Sequence, residues 1–263
     1  MRVVPFSDEA LKELDVVALA LGYFDALHTG HKRVLKTALK YGRKKSALVT
    51  FNKNPKYYLE GKNFKPILTF NQKCKILEKM GFNTLIVIDF SSEFSKMSGE
   101  GFVNRLLQIS SLRYLIAGAD FQCGHNRAAN IETIKAILKN QRVVLKTVSI
   151  GCKRACKVSS SLVRNLVLSG QFRNVKALTR RDYILKLPSN LSKPTRLGSK
   201  FQWQFPYNLL NQLFPTSGTY LASYKKEGLL ISVSKGIVSL TFKNEILPPW
   251  VIVKKQIYKG DQK

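Results

Sequence analysis

Six consecutive apolar residues, Val16 to Leu21, run up to Gly22, and a helical period follows with Val34, Leu35, Ala38 and Leu39 on one face. The run predicts a strand covered on both sides, and the period predicts an amphipathic helix. The same alternation recurs downstream. Strands are predicted at Ser46–Phe51, Thr84–Phe90, Leu112–Ala117 and Val143–Ser149. Helices are predicted at Thr69–Met80, with Ile76 and Leu77 inward and Gly81 as C-cap, and at Ser98–Leu107 and Ile131–Leu138. The polar stretch 52–65, with Pro55, Tyr57, Tyr58 and Gly61, predicts a loop over a site. The βαβα order predicts an α/β domain, a parallel sheet with helices on both faces.

The texture changes near Leu185. Pro188, Ser189, Asn190, Ser192, Lys193 and Pro194 predict a linker. Short strand-like segments follow at Tyr220–Tyr224, Leu229–Val233, Ile237–Phe242 and Val251–Tyr258. We therefore expect two domains, 1–184 with the parallel sheet and 185–263 as a small β-barrel-like module or incomplete sheet.

Composition narrows the setting. The chain has 263 residues, 44% of them hydrophobic, as expected of a globular protein. The first fifteen residues lack the basic and apolar regions of a signal peptide, and no apolar run is long enough to span a membrane. A cytoplasmic protein without membrane contact is expected. Lys and Arg number 44 against 16 acidic residues, for a net charge of +28. That charge would suit nucleic acid, but the basic residues are dispersed, and no aromatic RNA-binding signature accompanies them. A Lys-rich proteome, or a surface that attracts anionic small substrates, is the plainer reading of the charge, and oligomeric state is left open. Cys74, Cys123, Cys152 and Cys156 are expected as free thiols, because no second Cys/His pair completes a zinc set.

The chemistry concentrates after the first buried strand. His28-Thr29-Gly30-His31 lies between a strand's carboxyl end and a helix's amino end, where free N–H groups and the helix dipole favour phosphate. Two imidazoles there add donors able to follow charge onto a reacting phosphoryl group. Two of the chain's three histidines are in this loop. Three further stretches follow predicted strands or lie beyond them, which would put them at one sheet edge: Val49 to Pro55, Gly118 to Arg127, and Val158 to Arg164. In the last, Ser159 is a natural N-cap, Ser160 and Ser161 open a helix, and Arg164 lies one turn in. Hydroxyls, helix N–H groups and an arginine suit a triphosphate tail.

The pattern from Gly22 through His31 resembles the HxGH signature of the nucleotidyltransferase superfamily. With the other three stretches, residues 15–184 resemble the adenylyltransferase module of bacterial bifunctional FAD synthetases, which couple riboflavin kinase with FMN adenylyltransferase. The resemblance implies a Rossmann-like nucleotidyltransferase domain, ATP and FMN as substrates, and Mg²⁺ as cofactor. It implies that His28, His31, Ser160 and Arg164 are catalytic. It puts Gly22, Phe24, Asp25, Ser159 and Ser161 with them around ATP, and Phe51, Pro55, Asp120 and Phe121 on the flavin side. It leaves the metal ligands open. The chain departs from the family pattern at Ala26, Lys53, Cys123 and Ala129, and mildly at Ser161. In the second module, Gln204-Phe205-Pro206-Tyr207-Asn208-Leu209 is the best counterpart of the kinase Gly-Phe-Pro-Thr-Ala-Asn-Leu motif. Its Thr is lost, so a reduced barrel without kinase activity is expected. The reading is an FAD synthase. The alternatives are a bifunctional enzyme, a nucleotidyltransferase with another acceptor, and a non-catalytic flavin- or nucleic-acid-binding descendant.

Overall fold

The structure is a computed structural model, described here for residues 1–59, 64–149 and 158–258. It packs as two compact units, one of residues 1–64 and 70–158, the other of 65–69 and 159–263. Cys152 and Cys156 lie outside the described residues, and Cys74 and Cys123 are free thiols. Among the described residues, no helix is long and apolar enough to cross a membrane.

The first unit is built on six strands: β1 (Arg2–Pro5), β2 (Ala18–Leu21), β3 (Ser46–Phe51), β4 (Thr84–Ile88), β5 (Tyr114–Gly118) and β6 (Val144–Val148). All pair parallel, in the order β1-β4-β3-β2-β5-β6. Its helices are α1 (Asp8–Lys12), α2 (Thr29–Gly42), α3 (Pro55–Leu59), α4 (Phe70–Lys79), α5 (Ser92–Ser95), α6 (Gly99–Leu106) and α7 (Ile131–Leu138). All four residues of β2 are buried, as the apolar run predicts for a central strand. Val34, Leu35 and Ala38 bury the inner face of α2.

Three differences from expectation have physical reasons. The strand expected from Val16 is β2 and begins at Ala18, because the Ser111 hydroxyl takes the Val16 N–H at 2.8 Å in place of a ladder partner. The edge strand β1 is only four residues long and ends in Pro5, a donor-less residue that an edge tolerates. The stretch 52–65 contains the short helix α3, begun by Pro55 at a position where a missing N–H costs nothing.

The second unit opens with α8 (Ser160–Leu168) and α9 (Phe172–Thr179). Seven antiparallel strands follow: β7 (Tyr183–Lys186), β8 (Thr195–Leu197), β9 (Lys200–Pro206), β10 (Gly218–Tyr224), β11 (Glu227–Ser234), β12 (Ile237–Phe242) and β13 (Trp250–Tyr258). Their order is β7-β13-β10-β11-β12-β9-β8. The four expected strands are present as β10 to β13. Strand β9 follows period two, since Trp203 and Phe205 point inward and Gln204 outward. Phe172, Phe214 and Tyr220 meet in the core of this unit, with ring centroids 6.0 Å and 5.1 Å apart along the series. Segment 65–69 is stitched into this unit by the buried Gln212, whose amide donates to the Ile67 and Ile184 carbonyls at 2.9 Å each.

Candidate active site

From β2 the chain moves outward through β3 and β4 on one side, and later through β5 and β6 on the other. The strand order therefore reverses between β2 and β5. In open α/β sheets the crevice outside the carboxyl ends at such a reversal is where ligands bind. The loops after β2, β3 and β5 open at that same edge, because the strands are parallel and adjacent. These loops carry Gly22 to His28, then Asn52 to Pro55, then Asp120 and Phe121.

The first loop is tightly built. Phe24 and Leu27 take left-handed backbone conformations, φ 54° and 45°, which non-glycine residues adopt only under tertiary constraint. Phe24 is 1% exposed, and its ring lies so close to Gly22 that a Cβ there would stand 2.9 Å from it. Asp25 and His28 are each 2% exposed. His28 caps α2, its Nδ1 accepting the His31 N–H at 3.3 Å. The two imidazoles stack, with centroids 3.8 Å apart and planes 18° from parallel, and the Phe24 ring meets His31 edge-on at 5.3 Å. An HxGH spacing produces this arrangement because the first His is the cap and the second lies in the first helical turn. Both rings thus sit at the positive end of the helix dipole.

Sequence reasoning missed Lys73. It is 2% exposed on α4, and its Nζ donates to the Tyr23 carbonyl at 3.0 Å and to the Thr50 hydroxyl at 3.2 Å. The Thr50 hydroxyl donates to the same Tyr23 carbonyl at 2.7 Å. The ammonium also lies 4.4 Å from the centre of the Tyr23 ring. Burial pulls its pKa down to about 8, with the Asp25 and Cys74 charges opposing. A signal was present in the sequence: position 73 is four before Leu77 and three after Phe70, on the inner stripe of the helix, where an apolar residue would be usual.

Of the residues expected on the flavin side, Phe51 is half-buried among aromatic rings, 6.3 Å from Tyr23, 5.9 Å from Phe90 and 5.7 Å from Phe94. The exposed ring of Tyr58 extends this surface, 5.7 Å from Phe90. Pro55 opens α3. Asp120 is exposed after β5, and Phe121 closes a turn onto Gly118 and packs on the core. Beyond it, Gly124 (φ 79°) crosses α6 where a Cβ would stand 2.3 Å from the Gly99 nitrogen, and the third histidine, His125, bonds the Ser95 carbonyl through Nδ1 at 2.9 Å. That histidine is a local anchor. Among the described residues, no group of three His, Cys, Asp or Glu could hold a metal ion.

The serine helix belongs to the second unit and is described there by itself. Ser159 caps α8 as expected, its hydroxyl accepting the Leu162 N–H at 3.1 Å. Ser160 and Ser161 occupy the first turn, Ser161 exposed. Arg164 donates to the Lys65 carbonyl at 2.9 Å.

Fold and loop together define an α/β protein with two stacked imidazoles at the amino end of a helix, at the point where its strand order reverses. The chain belongs to the FAD synthetase family, whose model matches residues 11–162. A bifunctional riboflavin kinase/FMN adenylyltransferase of Buchnera aphidicola is 29% identical over 172 residues, spanning 63% of this chain and 55% of that protein. The chain thus spans about half the length of such relatives. A Listeria monocytogenes protein named FAD synthetase is 24% identical over 246 residues, spanning 89% of this chain and 95% of that one. A crystal structure of a macrolide-efflux protein from Streptococcus pneumoniae superposes with a TM-score of 0.80, at 19% identity, over 100% of this chain and 93% of that one. That likeness is one of fold.

Proposed function

We propose that the chain is an FMN adenylyltransferase, an FAD synthase that transfers AMP from ATP to FMN and releases pyrophosphate. The observation that carries this reading is the stacked His28–His31 pair at the amino end of α2, at the switch point of the sheet. An FMN phosphate oxygen attacks the α-phosphorus of ATP, the bond from that phosphorus to the bridging oxygen breaks, and pyrophosphate leaves. Such a transfer depends on positioning and on donors aimed at developing charge more than on an acid or base. His28 and His31 supply those donors beside the helix N–H groups. Gly22, Phe24 and Asp25 shape the nucleotide side.

Ser160 and Arg164, with Ser159 and Ser161, are assigned to the β and γ phosphates on the family motif and on the capped helix they open. Phe51, Pro55, Asp120 and Phe121 are assigned to the flavin. The aromatic surface around Phe51 supports a flat acceptor. Mg²⁺ is inferred as the cation carried on the triphosphate, a mode in which few protein carboxylates are needed. We infer a cytoplasmic enzyme with small-molecule substrates, divided by motif at 184/185 into an adenylyltransferase domain and a kinase-like β module.

We further infer that the β module lacks riboflavin kinase activity. The motif residues run from β9 into the turn Tyr207–Leu209 with Tyr207 where the family threonine would stand. The near-full-length match to a protein named FAD synthetase supports this. One assay tests both parts. The chain with Mg²⁺ and ATP is given either FMN or riboflavin, and the flavins are separated. FAD and pyrophosphate from FMN, and no FMN from riboflavin, are expected. No FAD from FMN overturns the first inference, and FMN made from riboflavin overturns the second.

A further inference from the structure

Lys73 is a fully buried cation that the proposed reaction does not use. The inner stripe of α4 would bury Leu or Met there at no electrostatic cost, whereas taking an ammonium out of water costs several kcal/mol unless partners compensate. The partners present are specific. Two donors from the neighbouring elements, the Lys73 ammonium on α4 and the Thr50 hydroxyl on β3, converge on one acceptor, the Tyr23 carbonyl. That carbonyl sits between Gly22 and Phe24, where the backbone enters its left-handed turn. The ammonium lies over the Tyr23 ring, and the buried Asp25 carboxylate acts on it electrostatically. Every one of these contacts reaches the segment that leads from β2 into His28.

We propose that Lys73 is a positioning residue of the adenylyl-transfer site: by holding the Tyr23 carbonyl against β3 and balancing the Asp25 charge, it fixes the Gly22–His28 turn and thereby places the two histidines. The proposal rests on the FMN adenylyltransferase reading. It assigns Lys73 no contact with substrate. A turn that contains two left-handed non-glycine residues does not hold its shape alone. A displacement of the imidazoles by about 1 Å is enough to lower the rate on the order of 100-fold.

The test uses the full chain, as Lys73→Met and, separately, Thr50→Val, with FAD formation and amide hydrogen exchange as readouts. Thr50→Val keeps the volume and removes one of the two converging donors. Lys73→Met should turn over more slowly than the parent by a factor of about 30 or more, with the KM for ATP within threefold of the parent's. Thr50→Val should lose several-fold in kcat, and the double variant should lose much less than the product of the two, since both act through one carbonyl. Exchange of the 22–28 amides should quicken at least tenfold in Lys73→Met while the β3 amides stay protected. Near-parent kcat in a folded Lys73→Met, or multiplicative losses in the double variant, overturns the proposal. If Lys73→Met does not fold, Thr50→Val decides: parent-like kcat and exchange overturn it. A parent chain that makes no FAD overturns the functional reading instead, and the exchange of residues 22–28 then decides whether Lys73 fixes the turn.

Discussion

The Nδ1 atom of His28 accepts the backbone N–H of His31 at 3.3 Å. A neutral imidazole that accepts at Nδ1 carries its hydrogen on Nε2, so one ring both caps the helix and presents an N–H donor. These two duties separate by mutation. Asparagine is a good N-cap and alanine a poor one. His28→Asn should keep the melting temperature near the parent's, whereas His28→Ala should lose about 1 kcal/mol. Both should lower FAD formation about 100- to 1,000-fold, the usual cost of removing one preorganised donor. Thermal unfolding and a flavin assay check the pair. An active His28→Asn would show that the cap, not the donor, is what matters.

Gly22 is fixed by its neighbour rather than by its own backbone. An alanine Cβ at 2.9 Å from the Phe24 ring cannot be relieved by rotating a ring that is 1% exposed. Gly22→Ala should destabilise by about 1–3 kcal/mol through overpacking. The displaced Phe24 should carry His31 with it, since the rings touch. Activity should fall more than stability predicts. Pairing Gly22→Ala with Phe24→Leu, which vacates the space, should recover part of the stability in urea unfolding.

Lys73 gives a pH dependence of known sign. Its pKa is lowered from 10.5 to about 8 by burial, against the pull of the Asp25 and Cys74 charges. Between these values the unfolded chain holds a proton that the folded chain has released, so this group's contribution to stability rises with pH across that window. It is fully present above 10.5 and is lost as pH falls through about 8. The difference in unfolding free energy between the parent and Lys73→Met isolates it from other titrations. That difference should move in the parent's favour between pH 8 and 10.5, on the order of 3 kcal/mol. A flat difference across the window would contradict the burial of a titrating ammonium.

In the second unit Gln212 is a buried residue that joins three backbone groups. It is 0% exposed, donates to the Ile67 and Ile184 carbonyls, and accepts the Lys186 N–H at 3.1 Å. Gln212→Leu removes three hydrogen bonds to backbone groups and should cost on the order of 3 kcal/mol. Gln212→Glu should be no better, because its carboxylate faces two carbonyls that need donors. Denaturant unfolding of both variants decides this. A loss below about 1 kcal/mol for either would mean that the three groups find other partners.

Most of the first unit was legible because its helices are periodic and its central strands are apolar runs. Ile131–Leu138 needed only its own spacing, and α2 only the stripe Val34, Leu35, Ala38. The four-residue β1 and the five-residue α3 carry neither a period nor a long apolar run, and pairing with β4 or a single proline creates them. The loop residues of the candidate site stood out because glycine, histidine and serine at loop positions have few other uses. Lys73 did not, because one lysine on an amphipathic helix reads as a surface residue.

The sequence alone determined the alternation of strands and helices, the strand–loop–helix setting of His28 to His31, the cap at Ser159 and the motifs that mark the family. Each of these depends on residues within a few positions of one another, and local spacing encodes them. Tertiary structure alone decided which loops share the switch-point edge, because that follows from strand order. It decided that Phe24 rather than Gly22 takes the left-handed turn, because a ring must pack against a bare backbone. It decided that the Lys73 ammonium goes inward, since its acceptor, the Tyr23 carbonyl, is 50 residues away along the chain and only folding brings it within 3.0 Å.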